Sequence, residues 1–310
     1  MSTYHFGRGW ARWVPYLLLL PGFLFYLLLA LGPSFATSIY SFTNASGLPG
    51  ASVQWVGWEN YREFLLLGLA ARDNIDSLLR TLQFCFFVTI IQTVVGLGLA
   101  LLLDQRLRGS HFFRLLYFLP VILGVTIQGL IWSLFHYPLD GPLQKVIGLF
   151  GTHSEFLGAP PDTAFNWVIF VQIWANLGIT IVIFLAGLQT ISGEILEAAK
   201  IDGASGWQIF RHITFPLLTP SLNTNLILAI IGSLQSWQLL LVLLGIRNGT
   251  QVLNLTVYAI AFGRQSGNPT SAAMRQGYGA AVSMVLFILV LGIGLTAQYL
   301  LRRREEHILG

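Results

Sequence analysis

The sequence predicts an all-α, polytopic membrane protein, a single domain over residues 1–310 with six transmembrane helices, and three observations predict it. Of the 310 residues, 55% are hydrophobic and only 10% are Asp, Glu, Lys or Arg, whereas an ordinary soluble domain carries about 25% charged residues. Mean hydropathy is +0.69. Six long stretches hold no Asp, Glu, Lys or Arg at all: 13–58, 81–103, 115–139, 163–193, 212–246 and 276–301. A chain so poor in charge cannot cover its own surface in water, so much of its solvent is hydrocarbon.

Trimmed by composition, the stretches become spans near 13–38, 81–103, 115–135, 166–188, 219–243 and 279–301, each long enough for about 30 Å of hydrocarbon at about 1.5 Å per residue. The first follows Arg8 and Arg12 as a signal peptide would, but its apolar run exceeds the usual h-region of about 7–15 residues and five spans follow, so it is read as retained. The loop 39–80 opens on the turn formers Asn44, Gly47, Pro49 and Gly50. From Trp58 to Leu69 it then mixes Glu59, Asn60, Arg62 and Glu63 with Tyr61, Phe64, Leu65 and Leu66, a piece expected along the outer interface. The stretch 248–263, with Asn248, Thr250, Gln251, Asn254 and Thr256 among its 16 residues, is too short and polar to span. Pro21, Pro120 and the glycines inside the spans kink helices or let them approach closely. Trp10, Trp13, Trp132 and Trp167 suit an interfacial belt.

Sidedness follows from the basic residues. With both termini cytoplasmic, that side holds Arg8, Arg12, Arg106, Arg108, Arg114, Lys200, Arg211, Arg302, Arg303 and Arg304. The other side holds Arg62, Arg72, Arg80, Lys145, Arg247, Arg264 and Arg275. The excess is the one expected of a cytoplasmic face. No basic stripe with interleaved aromatics suggests nucleic acid.

Several chemistries are excluded or disfavoured. The single cysteine, Cys85, builds no disulfide framework, and the six histidines lack ligand spacing, so no metal is expected. The only lysines, Lys145 and Lys200, do not follow glycine, so no P-loop exists. Neither G-x-S-x-G nor H-E-x-x-H occurs. The trimmed spans carry no charged or histidine side chain to mark an ion path. No catalytic residue and no cofactor is predicted.

The loop 191–215 is the densest motif. Helix formers run from Glu194 to Ile201 with acids first and Lys200 last, as the helix dipole favours, and Gly203 offers a left-handed stop. Ser205 and Gln208 make an S-x-x-Q capping box for a second short helix carrying Trp207, Phe210 and Ile213 on one face. Two short helices joined by a glycine turn, with small Ala198, Ala199 and Ala204, read as a docking element.

Glu197-Ala198-Ala199, Gly203, Ile213 and Pro216 resemble the EAA loop of binding-protein-dependent ABC importer permeases, and Ile201-Asp202-Gly203-Ala204 resembles the sugar-type permeases of the maltose and glycerol-3-phosphate importer group. Val56-Gly57-Trp58-Glu59-Asn60-Tyr61, Tyr117-Phe118-Leu119-Pro120 and Phe184-Leu185-Ala186-Gly187-Leu188-Gln189 extend the likeness over nearly the whole chain. The resemblance implies a cytoplasmic coupling loop in which Glu197, Ala198, Ala199, Asp202 and Gly203 engage a cleft in a separate ATPase subunit. It implies a bacterial cytoplasmic membrane, a second permease subunit, two ATP-binding subunits and an extracytoplasmic solute-binding protein. Two departures touch the helix entry and exit: Ser192 stands where many relatives have proline, and Phe215 where leucine usually precedes the proline. Serine caps a helix instead.

A route for a neutral solute needs polar, uncharged groups at membrane depth. Span five offers Asn223, Asn225, Ser233, Gln235, Ser236, Trp237 and Gln238; span four offers Gln172, Trp174 and Asn176; spans two and three add Gln92 and Gln128. Amides both donate to and accept from hydroxyl groups, and an indole face suits a sugar ring. The bland alternative is that the same amides join helices to one another. Gln235, Trp237 and Gln238 are the leading substrate-side candidates, with Ser233, Asn225, Asn176 and Gln172 behind them. The absence of a basic group in the spans favours a neutral sugar or polyol. The expectation is an ABC importer permease moving such a solute by alternating access. A stand-alone channel or carrier and a glycerol-3-phosphate-type importer permease stay open as alternatives.

Overall fold

The computed structural model describes residues 13–66, 68–105, 109–137, 139–151, 153, 155–263 and 274–309. Trp10, Arg8, Arg12, Arg106, Arg108 and Arg264 therefore lie outside the described residues. Thirteen helical elements in chain order are α1 Val14–Tyr40, α2 Glu59–Leu66, α3 Gly68–Asp104, α4 Ser110–Ile122, α5 Val125–Phe135, α6 Pro142–Gly148, α7 Pro161–Gln189, α8 Gly193–Ile201, α9 Gly206–Leu217, α10 Thr219–Leu234, α11 Gln238–Leu244, α12 Leu253–Ala261 and α13 Gln276–Leu309. A 3₁₀ turn, Phe156–Gly158, precedes α7. Among the described residues the only β pairing is one antiparallel bridge, Thr43 to Trp55.

Four helices, α1, α3, α7 and α13, are long and apolar enough to cross a membrane unaided. The count becomes six if two bent pairs are each one crossing: α4 with α5, turned by 106°, and α9 with α10, turned by 65°. The helices of the expected spans 115–135 and 219–243 are each interrupted. The first is interrupted at Leu123 and Gly124, both extended, and the second between Leu234 and Gln238, where Trp237 takes φ −156° and ψ −31°.

Proline accounts for two further irregularities. A π-helical segment, Leu27–Leu31, lies inside α1, and a second, Phe210–Thr214, lies inside α9. Each comes just before a proline, Pro33 or Pro216. Proline lacks the N–H that the carbonyl four residues earlier requires, and the turn widens to an i→i+5 bond, seen from Gly32 N–H to Leu27 O and from Phe215 N–H to Phe210 O.

The long helices α3 and α7 form the most extensive pair and α10 packs beside α3. One apolar cluster joins Phe84 and Val88 of α3 to Phe165, Val168 and Val171 of α7 and Leu239 and Leu240 of α11. A second joins Ala100 and Leu103 to Ile181, Phe184 and Leu218. A third joins Phe64 of α2 to Leu253 and Ile260 of α12 and Val282 of α13. Burial of such side chains contributes about 1.5–3 kcal/mol each in water; in lipid the gain comes from close packing instead. Glycine makes that closeness possible: a Cβ on Gly178 would meet the carbonyl oxygen of Tyr117 and the Cα of Phe118. By contrast, no residue of α1 is buried.

The segment between α1 and α3 is anchored by polar contacts. Asn60 donates through Nδ2 to the carbonyls of Ser41 and Thr43, both at 2.9 Å, and Arg275 makes a bidentate pair with Glu63 at 2.6 and 2.7 Å. Gly277 N–H donates to Ala45 O at 2.8 Å. α2 buries Asn60 and Phe64 while Leu65 and Leu66 stay exposed, so it is amphipathic.

Candidate functional site

Both helix breaks open onto one cavity of about 410 Å³. Its wall takes Val121 from the end of α4, Leu123 from the first break, Gln128 from α5, Gln172, Ala175, Asn176 and Ile179 from the middle of α7, Gln235, Ser236 and Trp237 from the second break, and Gln238 and Leu239 from the start of α11. No lining residue is charged. A lipid-exposed break would strand backbone carbonyls and N–H groups; at membrane depth such backbone is tolerated where it is buried in protein or lines a cavity.

Of the sequence-predicted path, Gln235, Trp237, Gln238, Gln172 and Asn176 line the cavity together, as do Ser236 and Gln128. The structure holds them in different ways. Gln235 and Gln238 are exposed, leaving amides that both donate and accept. The Ser236 hydroxyl donates to Gln172 Oε1 at 3.2 Å, bridging the second break to α7. Asn176 donates to the Gln172 carbonyl at 3.1 Å, which fixes its side chain along its own helix. Trp237 stacks on Tyr258 of α12, ring centroids 4.9 Å apart.

Asn225 and Ser233 do not line the cavity. Asn225, 2% exposed, donates to Thr93 Oγ1 of α3 at 2.9 Å, and Ser233, 3% exposed, donates to its own helix at Ile230 O. Gln92 bonds Thr180 between α3 and α7, and Asn223 donates to Leu301 O and Glu305 of α13. These amides join helices. Asn254 and Tyr258 were missed by the sequence reading because the stretch that carries them is too short to span. Four residues apart on one helix, an amide and a ring share a face, and that spacing was the available signal.

A second candidate region is the segment 190–218. Ser192 caps α8 by accepting from Glu194 N–H. The helix closes in a Schellman motif: Ala204 N–H donates to Ala199 O, Gly203 N–H donates to Lys200 O, and Gly203 takes φ +79°. Ser205 and Gln208 form a capping box at the start of α9. Glu197, Ala198, Asp202 and Gly203 are exposed and Ala199 half-buried. So are apolar Ile201 and Trp207, at 86% and 65% exposure.

At the far end of α5, His136 is almost fully buried between aromatic rings, with Trp132, Phe156 and Trp167 centroids 4.8–5.2 Å away. Its Nδ1 lies 2.8 Å from Trp132 O, to which it donates in the neutral tautomer. Burial holds this imidazole below its ordinary value, against the opposing effect of that hydrogen bond. Trp132 and Trp167 are thus spent on a packed aromatic cluster. Among the described residues no three His, Cys, Asp or Glu side chains group closely enough to hold a metal ion.

With this geometry in place, comparisons with known proteins agree with one another. The profile of a family described as "Binding-protein-dependent transport system inner membrane component" matches residues 92–305. A multiple sugar-binding transport system permease protein of Streptococcus mutans is 31% identical over 277 residues, 88% of this chain and 90% of the relative. A probable starch degradation products transport system permease protein of Thermoanaerobacterium thermosulfurigenes is 28% identical over 298 residues, 94% of each. Among solved structures, a chain of a bacterial alginate ABC transporter, crystallised in complex with an alginate pentasaccharide-bound periplasmic protein, shares the fold at a TM-score of 0.81, with 20% identity and coverage of 95% of this chain and 96% of that one.

Proposed function

The chain belongs to the family of binding-protein-dependent transport system inner membrane components, and on that premise we propose that it is one permease subunit of an ABC importer that moves a neutral oligosaccharide or related polyol. The observation that carries the substrate class is the cavity between the two helix breaks, walled by amides and an indole with no charged group. Hydroxyl groups of a sugar take the donors and acceptors of Gln235 and Gln238, and the indole of Trp237 meets its C–H face. The relatives named for sugar and starch-product transport support the same class.

The chain itself makes and breaks no bond. Glu197, Ala198, Ala199, Asp202 and Gly203 form the coupling surface, presented on α8 and the turn that ends it, and exposed Ile201 of α8 with Trp207 of α9 offers apolar contact to an ATPase subunit. On this reading the segment 190–218 and both termini face the cytoplasm, and the larger share of Lys and Arg on that side supports it. ATP binding at the partner subunits pulls this segment and alternates access to the cavity, and an extracytoplasmic binding protein delivers the solute.

The test is uptake of a radiolabelled neutral oligosaccharide series into liposomes holding this chain, its second permease and the ATPase subunits, with the binding protein added outside. ATP-dependent uptake of at least one neutral sugar is expected. Uptake by the purified chain alone, indifferent to ATP, would instead establish a channel or carrier.

A further inference from the structure

We infer that Gln128 and Asn254 are positioning residues for the cavity, each supplying side-chain N–H groups to backbone carbonyls at one break, Leu123 O and Gln235 O foremost, and so setting the direction in which the next half-helix leaves. At the first break, a continuous helix would aim Ile127 N–H at Leu123 O, but that N–H goes to Gly124 O at 2.9 Å. The Gln128 amide, 6% exposed, takes its place: Nε2 donates to Leu123 O at 3.0 Å and to Pro120 O at 2.8 Å. Two hydrogens of one side chain thus bind the end of α4 to the first turn of α5.

The second break is held from outside. Gln235 O accepts from Asn254 Nδ2 of α12 at 2.7 Å. One turn along α12, Tyr258 stacks on Trp237. A single face of α12 therefore grips both sides of the unwound residues. The amides thus hold the backbone geometry that each break shows, from a buried position at the first and from α12 at the second.

The two half-helices beyond the breaks are also mated. α5 and α11 pack closely, and a Cβ on Gly129 would collide with the Val242 side chain. A change of direction at one break cannot be taken up there alone.

The experiment is a spin-label distance measurement on the purified full-length chain, in a Cys85→Ser background, with Leu116→Cys and Leu134→Cys on the exposed faces of α4 and α5. The parent is expected to give one narrow distance distribution. Gln128→Met, which keeps the shape and removes the donors, should broaden it. Asn254→Leu should broaden it too, although its hydrogen bond lies at the other break. An unchanged distribution in Gln128→Met overturns the positioning role even if that variant melts earlier, since lost stability alone is what an ordinary buried hydrogen bond predicts. A change in Gln128→Met with none in Asn254→Leu overturns the linkage between the breaks. This readout needs no transport. A second arm, which rests on the proposed importer reading, uses maltotriose uptake by the reconstituted complex and expects about a tenfold rise in apparent KM with the maximal rate retained. If the parent moves no neutral sugar while the distances respond as stated, the importer reading fails and the positioning role survives.

Discussion

The cavity and the segment 190–218 are both built from interrupted helices, yet they are interrupted by opposite means. In the segment, both ends of α8 and the start of α9 are closed by residues a few positions away: Ser192 accepts from Glu194 N–H, Ser205 and Gln208 cap each other, and Gly203 turns the chain with its positive φ. At the cavity, the ends are closed by side chains from the following turn or from another helix, Gln128 and Asn254, and the interruption persists only because the rest of the molecule surrounds it. Local closure makes a piece that keeps its shape when it is pushed. Closure at a distance makes a piece whose shape depends on its neighbours.

Glycine gives the sharpest contrast and the largest expected effect. A Cβ on Gly178, against the backbone of Tyr117 and Phe118, has nowhere to go, whereas one on Gly193 or Gly206 meets nothing within 4 Å. Gly178→Leu is expected to cost on the order of 3 kcal/mol and to abolish monodisperse protein in size-exclusion chromatography. Gly206→Ala should elute like the parent. Equal behaviour of the two would erase the distinction.

Next is the cavity wall. Gln235→Leu with Gln238→Leu removes two exposed amides that hold no helix together, so assembly with the ATPase subunits should survive. Transport efficiency should drop about 10- to 100-fold, at about 1 kcal/mol or more for each lost hydrogen bond to the solute. Normal uptake by the double variant would remove both residues from the route.

Gly203 tests the segment itself. Placing alanine in the left-handed conformation costs about 1 kcal/mol, while asparagine tolerates it better. Gly203→Ala is expected to lower substrate-stimulated ATP turnover several-fold with membrane insertion intact, and Gly203→Asn to retain most of it. If both match the parent, the turn does not transmit force.

The smallest effect belongs to His136. Its folded value lies below the ordinary 6.5, so the unfolded chain binds a proton first as pH falls. The stability held by the neutral ring is complete above that value and declines as pH drops through it toward the lower folded value. Melting temperature in detergent should therefore fall between about pH 7.5 and 5.5, and the slope should flatten in His136→Phe. An identical slope in both proteins would assign the pH response elsewhere.

The same contrast explains what was legible in the sequence. Caps are written within four residues, and hydrocarbon-length apolar runs are written in composition, so α3, α7 and α13, the Ser205 capping box and the Gly203 stop could be read directly. The cavity was legible as a set of uncharged polar residues, but not which of them face it. Asn225 and Gln235 look alike in sequence, and only the arrival of Thr93 beside one of them decides that it joins helices. The first break was legible only as a kink near Pro120 and the glycine that follows it, without its size, and the second was not legible at all. Leu123 and Gln235 sit in runs as apolar or as helix-prone as their neighbours, and the side chains that make interruption tolerable lie on other turns and other elements.

One consequence follows from α1. With none of its residues buried, its cohesion with the other described residues is slight: a hydroxyl-to-sulfur contact, Ser38 to Met284, and a flank of neighbouring residues on α13. What keeps it upright is its surroundings. Once the bilayer is exchanged for detergent, the amino-terminal rod should be the first part clipped by a protease, leaving behind a trimmed particle with its interior undamaged.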